Sequence, residues 1–97
     1  MKKKDCRSVI QPQFADLLYT GYYCIHHVFE GIGRRRKCEE YGFMVAVIPK
    51  VHEQIHRHIN TGEALKYKQQ CQKWYESNIG NREKFILEFG KNYLVGE

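Results

Sequence analysis

The chain has 97 residues, a formal net charge of +5 and apolar residues over 42 % of its length, enough for one domain and too little for two independent cores. No run approaches the ~18 apolar residues of a membrane span. Met1-Lys2-Lys3-Lys4-Asp5 leads into Cys6-Arg7-Ser8 rather than into an apolar stretch, so no secretory signal is expected. Cys6, Cys24, Cys38 and Cys71 have no C-x-x-C spacing, which argues against a disulfide framework and for a cytoplasmic chain with reduced thiols.

Charge is unevenly placed. Residues 1–37 hold eight of the sixteen Lys and Arg against Asp5, Asp16 and Glu30, whereas residues 38–97 carry eight basic and eight acidic groups. An excess confined to the N-terminal third points to a polyanionic partner, nucleic acid before an anionic membrane surface.

In chain order, residues 1–13 read as a mobile basic arm broken by Pro12, followed by a single domain over 14–97. Phe14 to Tyr19 suits one turn of helix or a short strand, and Thr20-Gly21 a turn. Tyr22 to Phe29 is rich in aromatic and β-branched residues and is expected to be a strand. The loop Glu30-Gly31-Ile32-Gly33 follows, then a short helical connector from Arg34 to Tyr41 that ends at Gly42. Phe43 to Ile48 reads as a buried strand. Pro49 then fits the first position of a helix, where its missing N–H costs nothing, running to about Ile59. Asn60 with Glu63 has the pattern of a capping box for a helix to Asn78, with Leu65, Cys71, Trp74 and Tyr75 on its buried side. A last helix, Arg82 to Phe89, is capped by Asn81, closes at Gly90 and is expected to bury Phe85, Ile86 and Phe89. The fold class is α+β.

The five histidines concentrate the chemistry. His26 and His27 end the first strand, and His52 lies 25 residues beyond His27 with His56 four further on. Residues four apart share one helix face, so His52 and His56 can reach a single ion. Imidazole nitrogens bind Zn, Ni, Mn or Fe-type ions at ~2.0–2.2 Å, and His26 or His27 can supply a third ligand. Neighbouring strand residues point to opposite sides, so both reach one cleft only if the strand end is irregular. A free histidine beside such an ion has the unperturbed pKa, near 6.5, of a general base. With the basic run Arg34, Arg35, Arg36 and Lys37 to hold a phosphate backbone, the equipment suits phosphodiester hydrolysis. His58 leaves the shared face and reads as solvated.

The paired histidines, the loop and strand, and Ile48-Pro49-Lys50-Val51-His52-Glu53-Gln54-Ile55-His56 closely resemble the HNH, or ββα-metal (His-Me finger), endonucleases. The helix is especially similar to that of DNA-cleaving colicin domains. His26-His27-Val28-Phe29-Glu30-Gly31, Tyr41-Gly42-Phe43 and Phe89-Gly90-Lys91-Asn92-Tyr93-Leu94 are similar to small phage and prophage HNH proteins. The resemblance implies a hairpin-plus-helix core over about 22–60 with C-terminal helices behind it over about 62–90. It implies His27 as the base activating water, His26, His52 and His56 as ligands of one divalent ion (Mg, Mn, Ni or Zn), and DNA, in double-stranded form, as substrate. It also implies a phage- or prophage-encoded protein in the bacterial cytoplasm, with a second copy or a phage protein as partner and no membrane. The family's middle Asn falls near Phe43 here, and the cysteine pairs that hold a structural zinc in many phage relatives have no counterpart beside Ile48 and Val51. The alternative of another class is a non-catalytic nucleic-acid-binding module whose zinc is closed off by Cys24 together with His26, His52 and His56.

Overall fold

A computed structural model describes residues 8–59 and 62–94. Over these the chain is mixed α/β, with α1 (Phe14–Tyr19), β1 (Cys24–His27), α2 (Arg34–Tyr41), β2 (Met44–Val47), α3 (Pro49–Arg57), α4 (Gly62–Asn78) and α5 (Arg82–Phe89). Both strands are shorter than their composition suggests. Tyr22, Tyr23, Val28 and Phe29 flank β1 without joining it as strand; Tyr23, Val28 and Phe29 meet their taste for buried surface by packing into the core rather than by a ladder, and Tyr22 stands in solvent. Helix ends follow local chemistry more closely. Gly42 closes α2 at φ 81°, a left-handed turn that lets its N–H reach the Cys38 carbonyl. The Asn81 side chain accepts the Lys84 N–H at 2.9 Å to start α5, a cap worth about 1 kcal/mol. Pro49 opens α3 as expected; the Asn60 capping box lies outside the described residues.

The two strands pair antiparallel, Cys24 with Val47, Ile25 with Ala46, His26 with Val45 and His27 with Met44. All four residues of β2 are buried. Its far edge is covered by a side chain: Gln11 Oε1 accepts the Ala46 N–H at 2.7 Å and Gln11 Nε2 donates to the Ala46 carbonyl at 3.2 Å. An amide offers one donor and one acceptor in the spacing of a peptide, so Gln11 stands in for one residue of a third strand. Together with the Val9 N–H bond to the Gly42 carbonyl, 2.9 Å, this pins residues 8–13. That part of the N-terminal arm is therefore docked rather than mobile, while residues 1–7 lie outside the described ones.

The larger core gathers Phe14, Val28, Phe29, Phe43, Cys71, Tyr75, Phe85 and Phe89. Phe29 sits at its centre, with ring centroids 4.6 Å from Phe89 and 5.7 Å from both Phe43 and Phe85. α5 thus packs behind the hairpin on the residue two places past His27, and α4 joins it through Trp74 against Phe43 and Tyr75 against Phe85. A smaller cluster of Val45, Val47, Ile55 and Ala64 seats α3 between β2 and α4. Cys71 and Tyr75 are buried as expected, Leu65 and Trp74 only partly. Ile86 is 37 % exposed rather than buried; Phe85 and Phe89, four apart, already define the inner stripe of α5, and Ile86 turns off it. Among the described residues no helix is long and apolar enough to cross a membrane.

Candidate metal centre and its cleft

Each histidine of the cluster is placed by a different local cause. His52, Ile55 and His56 lie within an arc of about 100° on α3, so burying Ile55 in the smaller cluster aims both histidines toward β1. His26 is fixed by its ladder position opposite Val45. The His26 ring meets His52 and His56 at centroid distances of 5.5 and 5.8 Å, and His52 meets His56 at 4.6 Å. The Nε2 atoms of His52 and His56 are 3.1 Å apart. One donor atom from each of His26, His52 and His56 falls within 4.8 Å of the others, a group able to hold a metal ion.

Burial grades across the cluster from buried His26, 6 % exposed, through His52 to exposed His56. Burial, with the neighbouring His52, His56 and His27 adding to it, pushes the His26 pKa down from 6.5 to about 4. Burial and then His56 and His27 lower that of His52 as well. Near neutral pH both rings are therefore neutral, the form that offers a lone pair to a metal. Cys24, two residues before His26, is not in the group, so among the described residues the donor set is imidazole alone. His58 is exposed at the end of α3 and also stands outside it.

His27 faces the same opening without belonging to the donor group. A cleft of about 780 Å³ is lined by His26, His27, His52 and His56 together with Arg35 and Glu39. His27 is the last residue of β1, still paired with Met44, and the cleft runs past the strand end so that both neighbours line it. The His27 Nε2 lies 3.1 Å from Glu39 Oε2. Val28 beyond it donates its N–H to the Phe43 carbonyl at 3.0 Å. Cys38 secures the next residue, its Sγ accepting the Phe29 N–H at 3.4 Å and donating to the Phe29 carbonyl at 3.6 Å. These bonds tie the segment after His27 to α2 and to the residue just before β2, Phe43, which supplies only its backbone and a buried ring.

The basic run divides by helical phase. Arg34 Nε and Lys37 Nζ both turn inward to the Glu88 carbonyl, at 3.1 and 3.3 Å, capping the C-terminal end of α5 where cations are favoured. The Arg34 guanidinium lies so close to Gly90 that a Cβ there would meet it at 3.1 Å, and Gly90 has φ +86°. Arg35 and Arg36 point to solvent, and Arg35 lines the cleft.

Three contributors escape sequence reasoning. Lys68 of α4 is 1 % exposed, donates to the Ile59 carbonyl at 2.7 Å and pairs with Glu30 Oε1 at 3.0 Å. It joins the chain after α3 to the loop after β1, the two segments that flank the histidines. Glu30 and Glu39 are the others. A lysine on an amphipathic helix reads as solvated, and a contact between residues 12 apart across a glycine loop leaves no periodic signal. Comparisons with protein-family models, with curated proteins and with solved structures find no significant match to this chain.

Proposed function

We propose that the chain is a metal-dependent endonuclease of the HNH, ββα-metal type that hydrolyses phosphodiester bonds of DNA, with β1, β2 and α3 as its ββα unit. The observation that carries the reading is the convergence of three imidazoles, His26, His52 and His56, beside a fourth that shares their cleft but not their donor group. Neutral nitrogen donors suit Zn, Ni or Mn better than Mg, which prefers oxygen. The absence of Cys24 from the group argues against a closed structural zinc site and leaves room for a substrate oxygen.

His26, His52 and His56 would hold a divalent ion, which would supply Lewis-acid stabilisation of the charge that gathers on the phosphate and the departing oxygen. His27 takes a proton from the attacking water. The water oxygen bonds to phosphorus as the ester P–O bond breaks. Arg35 and Arg36 hold the backbone through contacts that carry no sequence information. Arg34 and Lys37 add to the positive field while their hydrogen bonds go to Glu88.

The test is nicking of supercoiled plasmid at low salt by metal-stripped protein resupplied with Mg, Mn, Ni or Zn. Nicking should require metal. His27→Ala should lower kcat by ~10²–10⁴-fold while metal still binds, and His56→Ala should lose metal and nicking together. Failure of the wild type to nick with any metal, or full activity in His27→Ala, would contradict the proposal.

A further inference from the structure

We infer that Glu39 is the positioning residue for His27, holding the imidazole through its Nε2–H so that Nδ1 is the nitrogen presented to the attacking water. The inference rests on the nuclease reading and deepens it by naming which ring atom takes the proton.

The geometry is specific. Glu39 Oε2 is 3.1 Å from His27 Nε2 and 3.9 Å from Arg35 Nε. The first distance is that of a hydrogen bond and the second is not, so the imidazole is the closer partner. An exposed pair four apart on a helix, such as Arg35 with Glu39, fixes little by itself.

The carboxylate is also held by a rigid support. Glu39 rides on α2, whose first residues bond the Glu88 carbonyl through Arg34 and Lys37. Its last residue, Tyr41, donates its hydroxyl to the Glu88 carboxylate at 2.9 Å. The residue next to Glu39 is Cys38, whose Sγ bonds both backbone groups of Phe29, two places after His27. Carboxylate and imidazole are thus fixed to one another from both sides of the contact, as a group that orients a base must be.

Charge adds a second argument. A carboxylate at the wall of a cleft that receives phosphates repels the substrate, so binding the polyanion does not account for Glu39 beside His27. Orientation does. An Nε2–H donated to Glu39 leaves the lone pair on Nδ1, since a neutral imidazole carries one donor and one acceptor. An acid also orients the catalytic histidine of serine hydrolases, there through Nδ1–H so that Nε2 is the base.

The experiment combines plasmid-nicking kinetics with proton NMR of ¹⁵N-histidine-labelled protein, for wild type, Glu39→Gln and Glu39→Ala, each loaded with the metal that supports nicking best, or with Zn if none does. His27→Ala identifies the His27 ring signal. A ring N–H of His27 protected from solvent exchange is expected in the wild type and in Glu39→Gln, which keeps an acceptor oxygen, and should vanish in Glu39→Ala. In parallel, kcat should fall ~10²-fold in Glu39→Ala and ~10-fold or less in Glu39→Gln, with metal content unchanged and KM no higher than in the wild type, since a charge that repels phosphate has been removed. An unprotected ring N–H in the wild type, or wild-type kcat in Glu39→Ala, overturns the assignment while leaving the nuclease reading intact. A protected ring N–H in a wild type that nicks with no metal supports the Glu39–His27 bond and overturns the nuclease reading instead.

Discussion

Glu88 and His26 are both polar groups set into this small fold, and they keep opposite company. The Glu88 carboxylate accepts hydrogen bonds from the Tyr41 and Tyr75 hydroxyls and pairs with Lys37 at 3.6 Å, and its carbonyl takes Arg34 and Lys37. Burial pushes its pKa up, but the tyrosine hydrogen bonds and the Lys37 charge outweigh that and hold it below the ordinary 4.5. Every partner is a donor, and the cluster closes on itself. His26 meets His52 and His56 instead, three rings that can each offer a lone pair and that repel one another when protonated. A cluster whose needs are met internally staples helices together. One that assembles like groups around a point is poised for a cation from outside.

The comparison breaks most visibly through the packing both clusters share. Phe29→Ala removes the ring that joins the hairpin to α5 and should cost about 3–5 kcal/mol, in metal-free and metal-loaded protein alike. Urea unfolding with and without metal would show it. If the loss appeared only in the loaded protein, the aromatic core would not be the independent support described here.

Acid should act on the histidine side first, because the Glu88 carboxyl, held below 4.5, gives up its share of stability only as pH falls past that value. The ordinary histidine value is 6.5 and that of His26 is about 4, so between these pH values the unfolded chain binds a proton that the folded chain does not. Stability then rises with pH across this window, is complete above 6.5, and is lower by about 3 kcal/mol once pH has fallen to 4. Urea midpoints of metal-stripped protein at pH 7 and pH 4.5 should reveal this slope, and His26→Gln should flatten it.

A smaller effect tests the bracing between the two sides. Lys68→Met keeps the apolar length of the side chain but removes the donor to the Ile59 carbonyl and the partner of Glu30. Glu30 is half exposed and can return to water, so the expected loss is about 2 kcal/mol. Metal affinity should weaken with it, because the chain after α3 and the loop after β1 are no longer joined. An unchanged affinity in calorimetric titration would mean that the histidines are held without that brace.

Much of this was legible where local chemistry decides. Gly42, Pro49, Asn81 and Gly90 mark helix ends by φ or by a capping side chain, and α2 and α5 fall where those residues put them. The four-residue step from His52 to His56 put two of the clustered imidazoles on one face before any packing was known. What the sequence concealed depends on tertiary rotation. α2 turns Arg34 and Lys37 toward Glu88 and Arg35 outward, a phase set by the packing of α5. Gln11 completes a strand edge 35 residues away, and Lys68 is buried because a carbonyl and a carboxylate await it. Tyr22 to Phe29 was too generous a strand because Tyr23 and Phe29 serve the core as readily as a ladder.

The most direct test of the central claim is the optical spectrum of the metal-stripped protein titrated with Co(II) near pH 7.5. One ion per chain, with visible bands of a nitrogen and oxygen environment and no thiolate-to-cobalt charge transfer, is the predicted result, and His56→Ala should abolish it. No binding, or an intense thiolate band lost in Cys24→Ser, would contradict an open three-histidine centre.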